Sequence, residues 1–139
     1  LGAWQGLFSA SDTISACAQA ANRAIQAFGL PFDTTVIGMG GDGHIASLFL
    51  ESQDYEAAMQ PDNPHTVVPI RFHGSAAKTD RLSMSFQALL KTRHVLICIT
   101  GEQKREVLER SLHGSAPHYA IARVLEAYDG PVDIHWSPA

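Results

Sequence analysis

Residues 36–49 read VIGMGGDGHIASLF, and the fold class follows from this stretch. Thr34, Thr35, Val36 and Ile37 are short and largely β-branched, as a buried strand demands. Gly38, Gly40, Gly41 and Gly43 follow at once, so the chain leaves the strand through a loop that can turn tightly and come close to a ligand. Open α/β sheets bind ligands at the carboxyl ends of their strands, which is where this loop lies.

The flanking sequence supplies the helices and further strands. Upstream, Ile14, Cys17, Ala18, Ala21, Ile25 and Phe28 recur at helical spacing, with Ser9 or Ser11 as cap, Gly29 as stop and Pro31 beyond it. Downstream, residues 53–59 predict a short helix and PDNP (61–64) a turn. Residues 67–72 predict a strand, RLSMSF (81–86) a half-exposed strand by its alternation, and HVLICI (94–99) a buried one. Thr100 predicts the cap of a helix over 101–113, with Gln103 completing a capping box. A last helix over 117–128 and a closing strand over 132–136 complete an alternation of strands and helices. That alternation predicts an α/β domain with a mostly parallel sheet.

Length and composition exclude several classes. At 139 residues the chain has room for about one domain. Hydrophobic residues make up 45% and charged residues 17%, which is globular material and neither a disordered tail nor a coiled coil. No apolar run approaches the ~18 residues of a membrane span. Cys17 and Cys98 lie far apart, with neither a CxxC spacing nor a secreted-scaffold pattern, so a reducing, cytoplasmic setting is expected. The net charge of −4 argues against a nucleic-acid partner. Residues 1–70 hold one basic against seven acidic side chains, whereas residues 71–139 hold nine against seven. Cations for an anionic ligand should therefore come from the second half.

The loop carries the chemistry. Gly38, Gly40 and Gly43 satisfy GxGxxG, yet the second strand that should end on a ribose-binding acid ends near Phe72 and His73, and Asp42 would repel a pyrophosphate. The competing reading makes Asp42 and His44 the reactive groups, two positions apart at the mouth of the sheet. A carboxylate beside an imidazole fixes its tautomer, and an imidazole suits general-base work near neutral pH. Lys104 and Arg105 lie early in their helix, where the dipole disfavours cations, which points to an anionic ligand there. His65, His73, His94, His113, His118 and His135 show no metal-ligand spacing and read as surface or packing residues, so neither a metal nor a cofactor is expected.

The string GMGGDGHIASLF resembles the signature of the 6-phosphogluconolactonases, which share a superfamily with the glucosamine-6-phosphate deaminases and isomerases. DNP (62–64), VVPI (67–70), RLSMSF with ALL (88–90), residues 94–100, TGEQKR (100–105) and GPVDIHW (130–136) resemble later blocks of the same family in order. The deaminases continue from DGHIA toward an Asn-Glu pair, whereas Ser47, Leu48 and Phe49 here resemble the lactonase branch. The resemblance implies a Rossmann-like three-layer fold and hydrolysis of 6-phospho-glucono-1,5-lactone to 6-phosphogluconate in the oxidative pentose phosphate pathway, without a cofactor. It implies His44 as the base that activates water and Asp42 as its neighbouring acid. Gly40, Gly41 and Gly43 would contribute backbone contacts to the substrate, and Arg81 and Lys104 would meet the sugar phosphate.

Two departures accompany the resemblance. Where the family has prolines before the arginine, this chain has Ala77, Lys78, Thr79 and Asp80. The family's amino-terminal glycine-rich loop and Asp-Glu-Arg block have no counterpart, so residues 1–139 are expected to form a truncated lactonase-type domain lacking the amino-terminal strands. Such a piece exposes a sheet edge and apolar surface. The alternative expectation is therefore an inactive remnant, serving as an oligomerising or sugar-phosphate-binding module.

Overall fold

A computed structural model describes residues 4–10, 13–73 and 79–138. Three apolar segments form a parallel sheet: β1 (Thr35–Ile37), β4 (Val95–Thr100) and β5 (Val132–Ser137), in the order β1-β4-β5. Ile37 lies opposite Ile97, and Ile97 opposite Ile134. Between β1 and β4 come α2 (Tyr55–Ala58), an antiparallel pair of β2 (Val67–Ile70) with β3 (Arg81–Met84), and α3 (Phe86–Leu90). The helix α1 (Ile14–Gln26) precedes β1, and α4 (Glu102–Leu112) and α5 (Ala120–Ala127) lie between β4 and β5. The α/β class with a mostly parallel sheet is as expected.

The period-2 alternation of the sheet sorts its residues. Ile37, Val95, Ile97 and Ile99 are buried in one core with Val107 and Leu108 of α4 and Ile121 and Val124 of α5. On the opposite face Val36 is 64% exposed, Cys98 is exposed and Leu96 half-buried. The helix α1 packs against β2 and β3 instead. Asn22 fastens it there: its amide donates to the Val67 carbonyl (2.6 Å) and its oxygen accepts the Val67 N–H (2.9 Å).

Several boundaries differ from expectation for local physical reasons. The cap of α1 is Thr13, whose hydroxyl accepts the Ala16 N–H at 3.1 Å. Ser9 instead donates its N–H to the Cys17 sulfur, and Ser11 lies outside the described residues. Gly29 (φ +74°) follows the helix, and Phe28 is 49% exposed rather than on the buried face. The alternation of 81–86 breaks at Ser85, whose hydroxyl caps α3 through the Ala88 N–H and donates to the His65 carbonyl. Thr100 is not a helix cap. It stays in β4 opposite Ser137, and Gly101, at φ +88°, turns the chain into α4.

Asp54 and Arg71 clamp α2 to the end of β2. The carboxylate accepts the Arg71 N–H (2.8 Å), Nε (3.0 Å) and a terminal guanidinium nitrogen (2.5 Å). The hydrogen bond from the Arg71 side chain dominates, outweighing burial, and holds the Asp54 carboxyl below its ordinary value of 3.8. A depressed folded-state pKa means the contribution is complete above the ordinary value and is lost as pH falls through the lower folded one. Asp54→Asn should cost about 1–3 kcal/mol in denaturant unfolding at neutral pH, and the difference from wild type should shrink as pH falls below 3.8. Equal stabilities at neutral pH would show the clamp to be energetically idle.

Candidate active site

The loop after β1 folds back on itself. Met39 bridges Ile45, Gly40 donates its N–H to the His44 carbonyl (2.9 Å), and Gly43 donates to the Gly40 carbonyl (3.1 Å). This hairpin-like turn needs Gly43 at φ +78°, with the Tyr119 ring packed close beneath it. It also needs Gly40 for a different reason. A side chain there would overlap the His44 ring and the Asp42 carboxylate, because the pair lies directly over the Gly40 backbone.

His44 Nδ1 and Asp42 Oδ1 are 2.5 Å apart, and the same oxygen faces the His44 N–H at 3.4 Å. Burial pushes the Asp42 carboxyl up, but the hydrogen bonds from the His44 ring and backbone, with their charge attraction, together hold it below 3.8. Asp42 is therefore ionised at neutral pH and can only accept. That assigns the proton to Nδ1 and leaves Nε2 with its lone pair whenever the ring is neutral.

The other restraint on the imidazole comes from Phe49, whose ring centroid lies 4.0 Å away at an interplanar angle of 32°. Phe49 meets Phe72 edge-on at 5.6 Å, and the Arg81 guanidinium lies over it at 5.0 Å. Between His44 and Phe49 the chain passes through Ala46 at φ +49°, a left-handed conformation unusual for a side-chain-bearing residue. The Ser47 N–H donates to the buried Ser83 hydroxyl (3.1 Å), which ties this turn to β3.

His44 stands between two concavities. A small one of about 200 Å³ is lined by Asp42, His44, Leu48, Tyr55, His118 and Tyr119. A more open cleft of about 490 Å³ is lined by Gly38, Gly40, His44, Cys98, Thr100 and Lys104. Asp42, His44, Gly40 and Lys104 thus come together, as the sequence leads one to expect. Gly41 packs beside the Gln103 side chain, so Gln103 serves this contact rather than a capping box. Arg81 stands one ring away from His44. Arg105 is held by Glu109 (2.9 Å) and lies over Trp136, a helix-surface arrangement that leaves Lys104 as the cation of the pair at the cleft.

Sequence reasoning missed Phe49, Tyr119, Ala46 and the placement of His118 at the smaller cavity. The aromatic contacts depend on turns and on α5 folding back, which leave no local pattern. Among the described residues no cluster of three or more His, Cys, Asp or Glu side chains could hold a metal ion.

Residues 6–136 match the model of the glucosamine-6-phosphate isomerases/6-phosphogluconolactonase family. The chain belongs to this family. It is 32% identical over 133 residues to the 6-phosphogluconolactonase of Rhizobium meliloti, covering 95% of this chain and 56% of that protein. With the 6-phosphogluconolactonase of Helicobacter pylori strain 26695 it shares 35% identity over 117 residues, 84% of this chain and 48% of the relative. The crystal structure of a 6-phosphogluconolactonase from Shewanella baltica superposes with a TM-score of 0.83 at 32% identity, over 97% of this chain and 56% of that one. The chain spans about half the length of the curated relatives it matches. A monomeric glucosamine-6-phosphate deaminase shares the fold at TM-score 0.60 and 17% identity.

Proposed function

We propose that this chain is a lactonase-type α/β domain that hydrolyses 6-phospho-glucono-1,5-lactone to 6-phosphogluconate, the lactone-opening step of the oxidative pentose phosphate pathway. One observation carries the reading. An Asp42–His44 pair, held at 2.5 Å over a glycine, projects between two concavities at the carboxyl end of a parallel strand. The named relatives supply the substrate class.

The chemistry follows from the pair. His44 Nε2 accepts a proton from water, and the oxygen attacks the lactone carbonyl. Asp42 holds the ring in the reactive tautomer and stabilises the imidazolium that forms. The tetrahedral intermediate collapses by breaking the bond to the ring oxygen, which takes the proton back from His44 and leaves as a hydroxyl. The amides of Gly40 and Gly43 already close the turn, so the developing oxyanion falls to the loop's other backbone donors, Gly41 among them.

Lys104 lines the open cleft beside His44 and is assigned to the sugar phosphate, with Arg81 beyond Phe49 as the second cation. Lys104→Ala should raise KM about tenfold while kcat changes little, the loss of one charge-assisted contact made equally in ground and transition states. A kcat loss at constant KM would place Lys104 on the reacting atoms instead. The free thiols of Cys17 and Cys98 support a cytoplasmic setting. Among the described residues no helix is long and apolar enough to cross a membrane.

The test is hydrolysis of freshly prepared 6-phosphogluconolactone by this chain, measured against spontaneous hydrolysis after circular dichroism shows it folded. Acceleration supports the reading. A folded chain no faster than background overturns it and favours the second reading, a non-catalytic module that binds sugar phosphate or a second copy. The sheet face bearing exposed Val36 and Cys98 is the observation behind that alternative.

A further inference from the structure

We infer that Phe49 is the positioning residue of the base: its ring face fixes the plane of the His44 imidazole, so that the ring meets Asp42 and presents Nε2 in one orientation. The catalytic consequence rests on the lactonase reading above; the positioning itself does not.

A single hydrogen bond at Nδ1 anchors one corner of an imidazole and leaves the ring able to swing about that contact. A second restraint must act on its plane, and Phe49 supplies it at 4.0 Å and 32°. The phenyl ring is itself immobilised. It is 7% exposed, meets Phe72 edge-on, and carries the Arg81 guanidinium above it. Its backbone is held as well. The Ser47 N–H is pinned to Ser83 Oγ, and the Ser52 N–H donates to the Phe49 carbonyl at 3.0 Å. Ala46 at φ +49° is the conformational cost of bringing a residue five positions on back over the histidine. Strain of that kind persists only where surrounding contacts over-determine it, and here the contact it makes possible is the ring pair.

The test reads the imidazole directly. In the wild-type chain the ¹⁵N spectrum of His44 should show the Nδ1–H tautomer, and its ring protons should be shifted upfield by the phenyl face. Phe49→Leu and Phe49→Met, which fill the space without a flat ring, should lose the upfield shift and show an averaged imidazole orientation in side-chain couplings, with Asp42 still keeping the proton on Nδ1. Phe49→Tyr should keep both signatures. In lactone hydrolysis the two ring-less variants should lose about tenfold or more in kcat with KM nearly unchanged, and Phe49→Tyr should retain the rate. A wild-type spectrum without the fixed tautomer or the upfield shift overturns the assignment even if neither ring-less variant folds. A folded ring-less variant that keeps a single imidazole orientation and kcat overturns it too. Absence of lactone hydrolysis in the wild type alongside intact spectral signatures would count against the lactonase reading and leave the positioning in place.

Discussion

On the lactonase reading, His44→Ala should cost the chain most of its acceleration of lactone hydrolysis, while its circular dichroism and melting curve stay close to wild type. General-base catalysis contributes about 10²–10⁴-fold, and among the described residues His44 is the one histidine that lines both concavities. His118 lines the smaller cavity, where its ring packs edge-on against Tyr119 at 4.4 Å. The fold should survive because little is orphaned by the change. The His44 side chain is 26% exposed and the Asp42 side chain 57%, so water replaces the lost hydrogen bond. The Gly40 N–H still reaches the residue-44 carbonyl, because that bond belongs to the backbone. The measurement is the initial rate of acid release from fresh lactone at neutral pH, where the wild-type Asp42, held below 3.8 by His44, is ionised. A variant as fast as wild type would remove His44 from the mechanism and with it the assignment of this loop as the active site.

How much of this was legible in the sequence depends on whether the information is local. The buried strands at β1 and β4 show as short β-branched or apolar runs, and the structure forms both within a residue or so of expectation. The Asp42–His44 pair is legible for a similar reason. One glycine separates the two residues, and glycines on the amino-terminal side leave nothing for them to collide with. The capping of α4 was misread because Thr100 is the right residue type in the wrong context. Its pairing with Ser137, 37 positions later, keeps it in β4, and no window around Thr100 contains that fact. The strand expected over 81–86 ends two residues early because its alternation is a true strand signal up to Met84, and only the competing hydrogen bonds of Ser85 end it. Phe49 was invisible as a partner of His44 because the route between them passes through an alanine at positive φ, a conformation no alanine advertises. The lopsided charge directs attention to cations in the second half of the chain, and Lys104 of that half lines the cleft. The same logic overrates Arg105, which Glu109 and Trp136 occupy.

Gly40→Ala should be nearly as damaging to the rate as removing the base, and for a reason that separates site geometry from stability. Gly40 does not adopt a positive φ, so its backbone accepts an alanine without strain. The entire penalty lies in the added methyl group, which falls on Cε1 and Nδ1 of His44 and within 2.5 Å of Asp42 Oδ1. The imidazole must move, and it cannot move toward Phe49, whose ring already touches it at 4.0 Å. It therefore swings outward and breaks the bond to Asp42. A displacement of about 1 Å at a reacting group costs on the order of 10²-fold, so kcat should fall by about that factor or more. Gly43→Ala provides the contrast. There φ is +78° and the new Cβ would lie 2.5 Å from the Tyr119 ring, so backbone strain and a clash with α5's leading residue act together. That change should cost about 1–3 kcal/mol of folding free energy, read as a lowered melting temperature. The pair of variants makes a two-way test. Gly40→Ala melting close to wild type but slow, beside Gly43→Ala melting early, is the outcome this geometry requires. A fast Gly40→Ala variant would mean that the Asp42–His44 pair does not rest on Gly40 in solution, and the tautomer argument built on their 2.5 Å contact would fall with it.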